Sequence, residues 1–277
     1  MSLIEAIVLG ILQGLTEFLP ISSSAHLLVV PAFLGWDDPG AAFTAVTQLG
    51  TEAAVLIYFR RDLWSIAKTW TLSLRRPILR STSEARMGWY VIVATIPIGI
   101  FGLGFEDQIE SGARNLWLVG TVLIVFALVL GFADRTGSHS RELGHLRVRD
   151  GVLIGLAQSL ALVPGVSRSG ATMSAGLLMG LERPAAARFS FVLAVPAVVA
   201  SGVFQLVGIL SGEEGGGEPF AYVAIATVLA FFVGYAAIAW MLRYLTTHSV
   251  ALFVGYRIAL GSVVLALTAA GAIQSPH

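Results

Sequence analysis

Long runs of apolar residues, separated by short polar connections, make up most of the chain. A membrane-spanning helix needs about 20 consecutive apolar residues, and six runs reach that length. Pro97 and Pro196 lie inside two of these runs, a position that spanning helices tolerate. The pattern therefore predicts an all-α polytopic membrane protein with six spanning helices, at about 41–59, 88–105, 116–132, 186–210, 220–242 and 250–272.

Two further apolar stretches, 3–34 and 151–181, are interrupted near their middles by polar residues. The first interruption reads Pro-Ile-Ser-Ser-Ser over 20–24, and the second reads Pro-Gly-Val-Ser-Arg-Ser-Gly-Ala-Thr over 164–172. Because proline and glycine break helices, each stretch is predicted to form two short helices joined by a polar turn.

The composition agrees with a membrane protein and excludes several other classes. Hydrophobic residues make up 56% of the chain and charged residues 12%, against about 25% charged residues in soluble domains. The net charge of zero argues against nucleic acid as a partner, because binding to nucleic acid requires basic patches. The absence of cysteine excludes a disulfide framework and a thiolate site.

Basic residues are distributed unevenly among the connections. The connections that contain Asp37, Glu106 and Glu213 are acidic and hold Arg114 as their only basic residue. By the positive-inside rule, the remaining connections are predicted to be cytoplasmic. Their basic residues are Arg60, Arg61, Lys68, Arg75, Arg76, Arg80, Arg86, Arg135, Arg141, Arg147, Arg149, Arg183, Arg188, Arg243 and Arg257.

This charge distribution constrains the two interrupted stretches. The connections on both sides of 151–181 are predicted to be cytoplasmic, and the stretch is too short for two spans of about 20 residues each. It is therefore predicted to be a re-entrant hairpin that enters from the cytoplasm. The same argument makes 3–34 a hairpin that enters from outside, and it places both termini outside.

The two halves of the chain resemble each other. Gly-Ile-Leu-Gln-Gly-Leu over 10–15 matches Gly-Leu-Ala-Gln-Ser-Leu over 155–160, and each half is a hairpin followed by three spans. Three is an odd number, so the halves run in opposite directions through the membrane. We predict a single membrane domain over 1–277 with an inverted-topology repeat, its halves lying at about 1–134 and 150–273.

The second interruption carries the residues of a phosphate site. Arg168 lies between two apolar runs, where a charge is costly unless it has a partner or a ligand. Ser167, Ser169 and Thr172 add hydroxyl groups, and the broken helix supplies a new N-terminus. An arginine, hydroxyl groups and a helix N-terminus are together typical of a phosphate-binding site.

The first interruption carries residues suited to acid–base and nucleophilic chemistry. Gln13 and Glu17 are four residues apart and share a helical face. The serines at 22–24, Ser22 and Ser23 among them, follow the break, and His26 lies in the first turn of the return helix. If the two hairpin tips meet, a carboxylate, an imidazole and hydroxyl groups lie beside Arg168. Such a set suits attack on phosphorus.

Simpler interpretations exist for each residue. The serines could cap a helix, Glu17 could be a structural partner of Arg168, and His26 could be an interior histidine. Gln48 and Glu52, one turn apart in the first span, could serve packing or a helix contact. An inverted repeat with a site at the membrane midplane also fits a transporter or flippase for an anionic lipid or a small anion.

The two interrupted motifs resemble those of the undecaprenyl-diphosphate phosphatase family, also called bacitracin-resistance proteins. The resemblance rests on Gln13…Glu17-Phe-Leu-Pro-Ile-Ser-Ser-Ser-Ala-His26 and on Pro-Gly-Val-Ser-Arg-Ser-Gly-Ala-Thr over 164–172. It covers essentially the whole chain, including Gln-Leu-Gly at 48–50 and Phe-Ser-Phe-Val-Leu-Ala-Val-Pro at 189–196. Two positions depart from the family: many members have glutamate at the position of Gln13, and Ala25 replaces a common glycine.

The resemblance implies a plasma-membrane phosphatase that removes the terminal phosphate from a polyprenyl diphosphate, with a site that opens to the outside. It implies a divalent cation, Mg²⁺ or Ca²⁺, with Glu17 as base or metal ligand. The partners expected are the polyprenyl diphosphate and membrane lipids, without nucleic acid. The implied catalytic residues are Glu17, Ser23, His26 and Arg168, and the implied substrate-binding residues are Gln13, Ser22, Ser167, Ser169 and Thr172.

Several points stay open at the level of sequence. Ser23 is favoured slightly as the nucleophile, with His26 in proton transfer, but His26 or water are alternatives. The preferred metal, the isoprenoid length, lipid flipping and the oligomeric state, a homodimer included, are not determined by the motifs.

Overall fold

The computed structural model describes residues 1–105, 115–211 and 220–274, and regular structure in these ranges is helical apart from one isolated bridge between Arg141 and Leu181. The predicted acidic connections fall largely outside the described residues, namely Glu106, Asp107, Glu110, Arg114, Glu213, Glu214 and Glu218. The helices are α1 Leu3–Phe18, α2 Ser23–Leu34, α3 Gly40–Tyr58, α4 Arg60–Arg75, α5 Ser83–Gly104, α6 Leu116–Thr136, α7 Val148–Ser159, α8 Arg168–Leu178, α9 Arg183–Ser211, α10 Phe220–Tyr244 and α11 Ala251–Ala269.

The six predicted apolar runs correspond to α3, α5, α6, α9, α10 and α11. Among the described residues, α5, α6, α10 and α11 are long and apolar enough to cross a membrane. The pair α3 and α4, bent by 75°, would make a fifth crossing if it counts as one span. The protein is therefore a multi-pass membrane protein.

The basic segment after the first predicted span is a helix and not a loop. Helix α4 spans Arg60–Arg75, and a short 3₁₀ turn follows at Pro77–Ser81. Leu63 and Ile66 pack against the core, whereas Trp64 is exposed. A search for continuous apolar runs misses such a helix because its apolar residues recur every three or four positions.

Both interrupted stretches form pairs of short helices. Helices α1 and α2 are separated by 19–22. Helix α7 is followed by a 3₁₀ turn at Leu160–Leu162, and α8 begins at Arg168. The first helix of each pair packs against a long helix, α1 on α10 and α7 on α5. Glycines allow these close approaches: a Cβ on Gly10 would lie 2.5 Å from the Ala226 carbonyl oxygen, and one on Gly155 would lie 2.5 Å from that of Ala94.

Three of the predicted cytoplasmic connections lie together at one end of the helices. Arg188 pairs with Asp62, and Arg183 pairs with Asp134 through Nε and Oδ1 at 2.5 Å. Arg86 donates to the carbonyl oxygen of Leu146 at 2.7 Å. These contacts join the segments that contain the basic residues of 60–86, 135–149 and 183–188.

The structure corrects the predicted location of Arg257. We expected it in a basic cytoplasmic connection, but it lies inside α11 and its exposed fraction is 0%. Its guanidinium binds carbonyl oxygens of both interrupted stretches.

Candidate active site

The tips of the two helix pairs meet. The hydroxyl group of Ser169 donates to the carbonyl oxygen of Leu19 at 3.0 Å, across the gap between the two interrupted stretches. The second helix of each pair starts at this junction, α2 at Ser23 and α8 at Arg168. The expectation that the two interruptions lie together is therefore confirmed at the level of these contacts.

The two tips have the same local structure. Ser22 has φ +75° and accepts from the Ala25 N–H at 3.4 Å, and Ser167 has φ +72° and accepts from the Gly170 N–H at 3.2 Å. Positive φ is uncommon for a residue other than glycine, and such backbone strain is often found at functional sites. Both serines cap their helices, which the simpler interpretation had proposed for the serines at 22–24 only, and the cap fixes where each helix N-terminus points.

Glu17 joins the two tips through both of its carboxylate oxygens. Arg168 Nη2 donates to Glu17 Oε1 at 2.7 Å, and Ser23 Oγ donates to Glu17 Oε2 at 2.7 Å. Gln13 Nε2 donates to the same Oε2 at 3.1 Å. A buried carboxylate thus lies between an arginine and a serine hydroxyl, with its orientation fixed from two sides.

Glu52 belongs to the cluster formed by Glu17, Ser23 and Arg168. The sequence indicated it only as a candidate for packing or a helix contact. Arg168 Nη2 also lies 3.3 Å from Glu52 Oε1, and Gln48 Nε2 lies 3.4 Å from Glu17 Oε1. Glu52 is buried within α3. The rule that points to Arg168, the high cost of a charge within an apolar span, applies equally to Glu52 and could have found it.

His26 lies at the edge of the cluster. Its Nδ1 is 2.7 Å from the carbonyl oxygen of Ser22, and its Nε2 is 2.7 Å from the hydroxyl group of Tyr256. Since a carbonyl oxygen only accepts, Nδ1 carries a proton, and in the neutral ring Nε2 then accepts from Tyr256. The rings of His26 and Tyr256 also stack, with centroids 5.6 Å apart. Tyr256 had no signal in the sequence, because it is an ordinary aromatic residue within an apolar run.

The remaining residues of the second motif divide into two groups. The hydroxyl groups of Ser167 and Ser169 are 3.1 Å apart at the tip. Thr172 instead faces Ser190, with 2.5 Å between their hydroxyl oxygens, and donates to the carbonyl oxygen of Arg168 at 2.8 Å. The contacts of Thr172 stabilise α8 and do not reach the gap between the tips.

The junction is suited to an anion. The first N–H groups of a helix have no intrahelical acceptor, and they carry the positive end of the helix dipole. In the described ranges, no protein acceptor binds the backbone N–H groups of Ser23, Ser24, Arg168 and Ser169. Two helix N-termini and the Arg168 guanidinium therefore meet beside a carboxylate and a hydroxyl group, a combination that can bind and activate a phosphate ester.

The oxygen atoms of the site are also suited to a hard divalent cation. Glu52 Oε2 and Gln13 Oε1 are buried and have no hydrogen-bond partner among the described residues. The same ranges contain no group of three acidic or histidine side chains that could enclose a metal ion. Mg²⁺ is commonly held by one or two carboxylates together with substrate phosphates, so this donor set fits a cation bound jointly with a diphosphate.

Comparisons with known proteins agree with this chemistry. Residues 6–263 match the model of a protein family described as bacitracin resistance protein BacA. The undecaprenyl-diphosphatase of Nocardioides sp. is 55% identical, with 98% of each chain covered. The undecaprenyl-diphosphatase of Mycolicibacterium smegmatis is 57% identical over 99% of this chain and 100% of its own, and undecaprenyl-diphosphatase 3 of Frankia alni is 57% identical over 99% and 98%.

Proposed function

The chain belongs to the bacitracin resistance protein BacA family, and on this premise we propose that it hydrolyses undecaprenyl diphosphate to the monophosphate and inorganic phosphate. It is a phosphatase that regenerates the lipid carrier for cell-wall glycan synthesis. The observation that carries the proposal is the contact of Arg168 and Ser23 with opposite oxygens of Glu17. The comparisons do not favour a transporter and support hydrolysis.

In the proposed reaction, Arg168 and the two helix N-termini hold the diphosphate. Ser23 Oγ attacks the terminal phosphorus while Glu17 Oε2, 2.7 Å away, accepts the hydroxyl proton. The bond to the bridging oxygen breaks, and the lipid monophosphate leaves. Water then attacks the phosphoserine, which releases inorganic phosphate and restores Ser23. Arg168 stabilises the negative charge that develops on the transferred group.

The substrate-binding tips are proposed to be supported by Gln13, Ser22, Ser167 and Ser169. Thr172 is proposed to support α8 behind them. His26 is proposed to position the Ser22 carbonyl and to take part in proton transfer through Tyr256, not by direct contact with Ser23. The divalent cation, Mg²⁺ or Ca²⁺, would be held by Glu17, Glu52 and the side-chain oxygen of Gln13. When bound, it would neutralise charge on the diphosphate.

The proposed architecture has six spans and two re-entrant hairpins in an inverted repeat, with halves at about 1–134 and 150–273. Equivalent residues support it: Gly10 packs on Ala226 as Gly155 packs on Ala94, and Ser22 caps α2 as Ser167 caps α8. The packing of α10 on α3 likewise corresponds to that of α5 on α9, and each of these contacts joins one half to the other.

The proposed location is the plasma membrane, with both termini and the opening of the site on the outer side. The ion pairs that join Arg188 to Asp62 and Arg183 to Asp134 support a common side for the basic connections. The positive-inside rule makes that side cytoplasmic. A homodimer stays a prediction.

Phosphate release from undecaprenyl diphosphate by the purified protein in detergent tests the function. Arg168→Ala and Glu17→Gln should each lower kcat by about 100-fold or more, because charge stabilisation and proton transfer contribute on that scale. Arg188→Ala is a matched control, since this arginine is half-exposed and pairs with Asp62 outside the site. Full activity in both site variants would refute the site, and no phosphate release by the wild-type protein would refute the function.

A further inference from the structure

Arg257 is completely buried, and its side chain donates to four backbone carbonyl oxygens. Its exposed fraction is 0%. Nη2 donates to the carbonyl oxygen of Gly165 at 2.8 Å and Nη1 to that of Val166 at 3.1 Å, both at the tip of the second hairpin. Nη1 also donates to the carbonyl oxygen of Pro20 at 3.0 Å, at the tip of the first hairpin. Nε donates to that of Leu123 on α6 at 3.2 Å.

No carboxylate pairs with Arg257 in the described ranges. A buried charge without a counter-ion is costly, and apolar side chains of similar volume would pack there at lower cost. Its contacts therefore indicate a specific task. Those contacts are with three separate segments, and two of these segments are the tips that carry Glu17, Ser23 and Arg168.

We propose that Arg257 is a positioning residue that holds the two hairpin tips in register, so that Arg168 of one tip reaches Glu17 and Ser23 of the other. This inference rests on the proposed function for its catalytic consequence, and on the contacts alone for its structural part. Arginine suits the task because its planar group presents five N–H donors in fixed directions, whereas lysine offers three donors from one atom.

The neighbouring glycine supports this assignment. A Cβ built on Gly170 would lie 3.1 Å from Arg257 Nη1 and 3.2 Å from the Cβ of Ser167. The first turn of α8 thus leaves space for the guanidinium at the point where the helix begins. Substitution of Gly170 by alanine would press on Nη1 without removing the charge of Arg257.

The test measures activity and tip geometry separately. Variants Arg257→Met, Arg257→Lys and Gly170→Ala are compared with Arg183→Lys, a matched control that replaces an arginine paired with Asp134 outside the site. The chain has no cysteine, so spin labels attach only to introduced cysteines. Leu34→Cys on α2 and Leu178→Cys on α8 are suitable label positions, since both side chains are exposed.

We expect kcat for undecaprenyl diphosphate to fall about 100-fold in Arg257→Met, because small misplacements of reacting groups cost factors of that size, with a smaller change in KM. Arg257→Lys should restore only part of kcat, and the control should retain it. The distance distribution between the labels should broaden or shift in Arg257→Met and Gly170→Ala, while helix content by circular dichroism stays at the wild-type level.

Two results would overturn the proposal. One is a kcat within threefold of wild type in Arg257→Met, and the other is an unchanged label distance in both Arg257→Met and Gly170→Ala. If Arg257→Met does not fold, the same two criteria, kcat relative to wild type and the label distance, are applied to Arg257→Lys and Gly170→Ala. If the wild-type protein releases no phosphate, the proposed function fails, and the label distances still test the role of Arg257 in tip geometry.

Discussion

At the level of single residues, Glu17 is the centre of the site because its two oxygens have different partners. Oε1 binds Arg168 at 2.7 Å and Oε2 binds Ser23 at 2.7 Å. The arginine holds the carboxylate in place, and the opposite oxygen, which also accepts from Gln13 Nε2, faces the serine hydroxyl whose proton it would take. The interpretation of Glu17 as a structural partner of Arg168 is thus compatible with its proposed role as the base.

Tyr256→Phe tests the role of the contact with His26. The substitution removes the hydroxyl group that lies 2.7 Å from His26 Nε2 and leaves the stacked ring in place. A single hydrogen bond contributes about 1 kcal/mol, so we expect kcat to fall roughly five- to tenfold. Tyr235→Phe is a suitable control, because Tyr235 contacts Tyr58 away from the site. Equal kcat values in the two variants would show that Tyr256 has no part in the reaction.

Most of the residues in the cluster were predictable from sequence, since each carries chemistry that is unusual in an apolar environment. Arg168, Glu17 and the serines belong to that group. Tyr256 was not predictable, because an aromatic residue in a spanning helix ordinarily lies at the interface or in the core. Its role depends on which helix lies beside α2, and this is a property of the tertiary structure.

At the level of elements, glycines determine how closely the hairpins approach the long helices. Gly10→Ala and Gly155→Ala should each lower stability by about 1–3 kcal/mol, because the new methyl group would meet a backbone carbonyl oxygen that a rotamer change does not relieve. The measurement is the thermal unfolding midpoint of the purified protein in detergent. The two values should be similar if the two contacts are equivalent.

Gly99→Ala is the matched control for these variants. Gly99 lies inside α5, and a Cβ there would have no atom within 4 Å. Alanine favours helix more than glycine does, so this substitution should leave the midpoint unchanged or raise it. A larger loss of stability in Gly99→Ala than in Gly10→Ala or Gly155→Ala would contradict the proposed packing.

The long helices were predictable as elements because an apolar run of sufficient length has few alternatives in a membrane. Helix α4 was not predicted, since its basic residues were read only as a topology signal. The breaks in the hairpins were placed correctly to within a few residues by proline and glycine. Their geometry, with Ser22 and Ser167 at positive φ, is fixed by tertiary contacts.

At the level of the whole molecule, the site exists only where the two halves of the chain meet. Glu17 and Ser23 come from the first half, Arg168 from the second, and Arg257 on α11 binds both tips. The charge pattern predicted that the two hairpins enter the membrane from opposite sides, and this stays a prediction. It misplaced Arg257, because the positive-inside rule assigns arginines to connections and does not identify carbonyl oxygens within the bundle as partners.

The central claim is that Ser23 attacks the terminal phosphorus while Glu17 accepts its proton. The most direct measurement is rapid quenching of the wild-type enzyme during turnover of undecaprenyl diphosphate radiolabelled in its terminal phosphate. Parallel quenches in acid and in base are required, because phosphoserine survives acid whereas phosphohistidine survives base. We predict acid-stable label on the peptide that contains Ser23, and none in Ser23→Ala. Base-stable label on His26, or phosphate release at the wild-type rate by Ser23→Ala, would contradict the account.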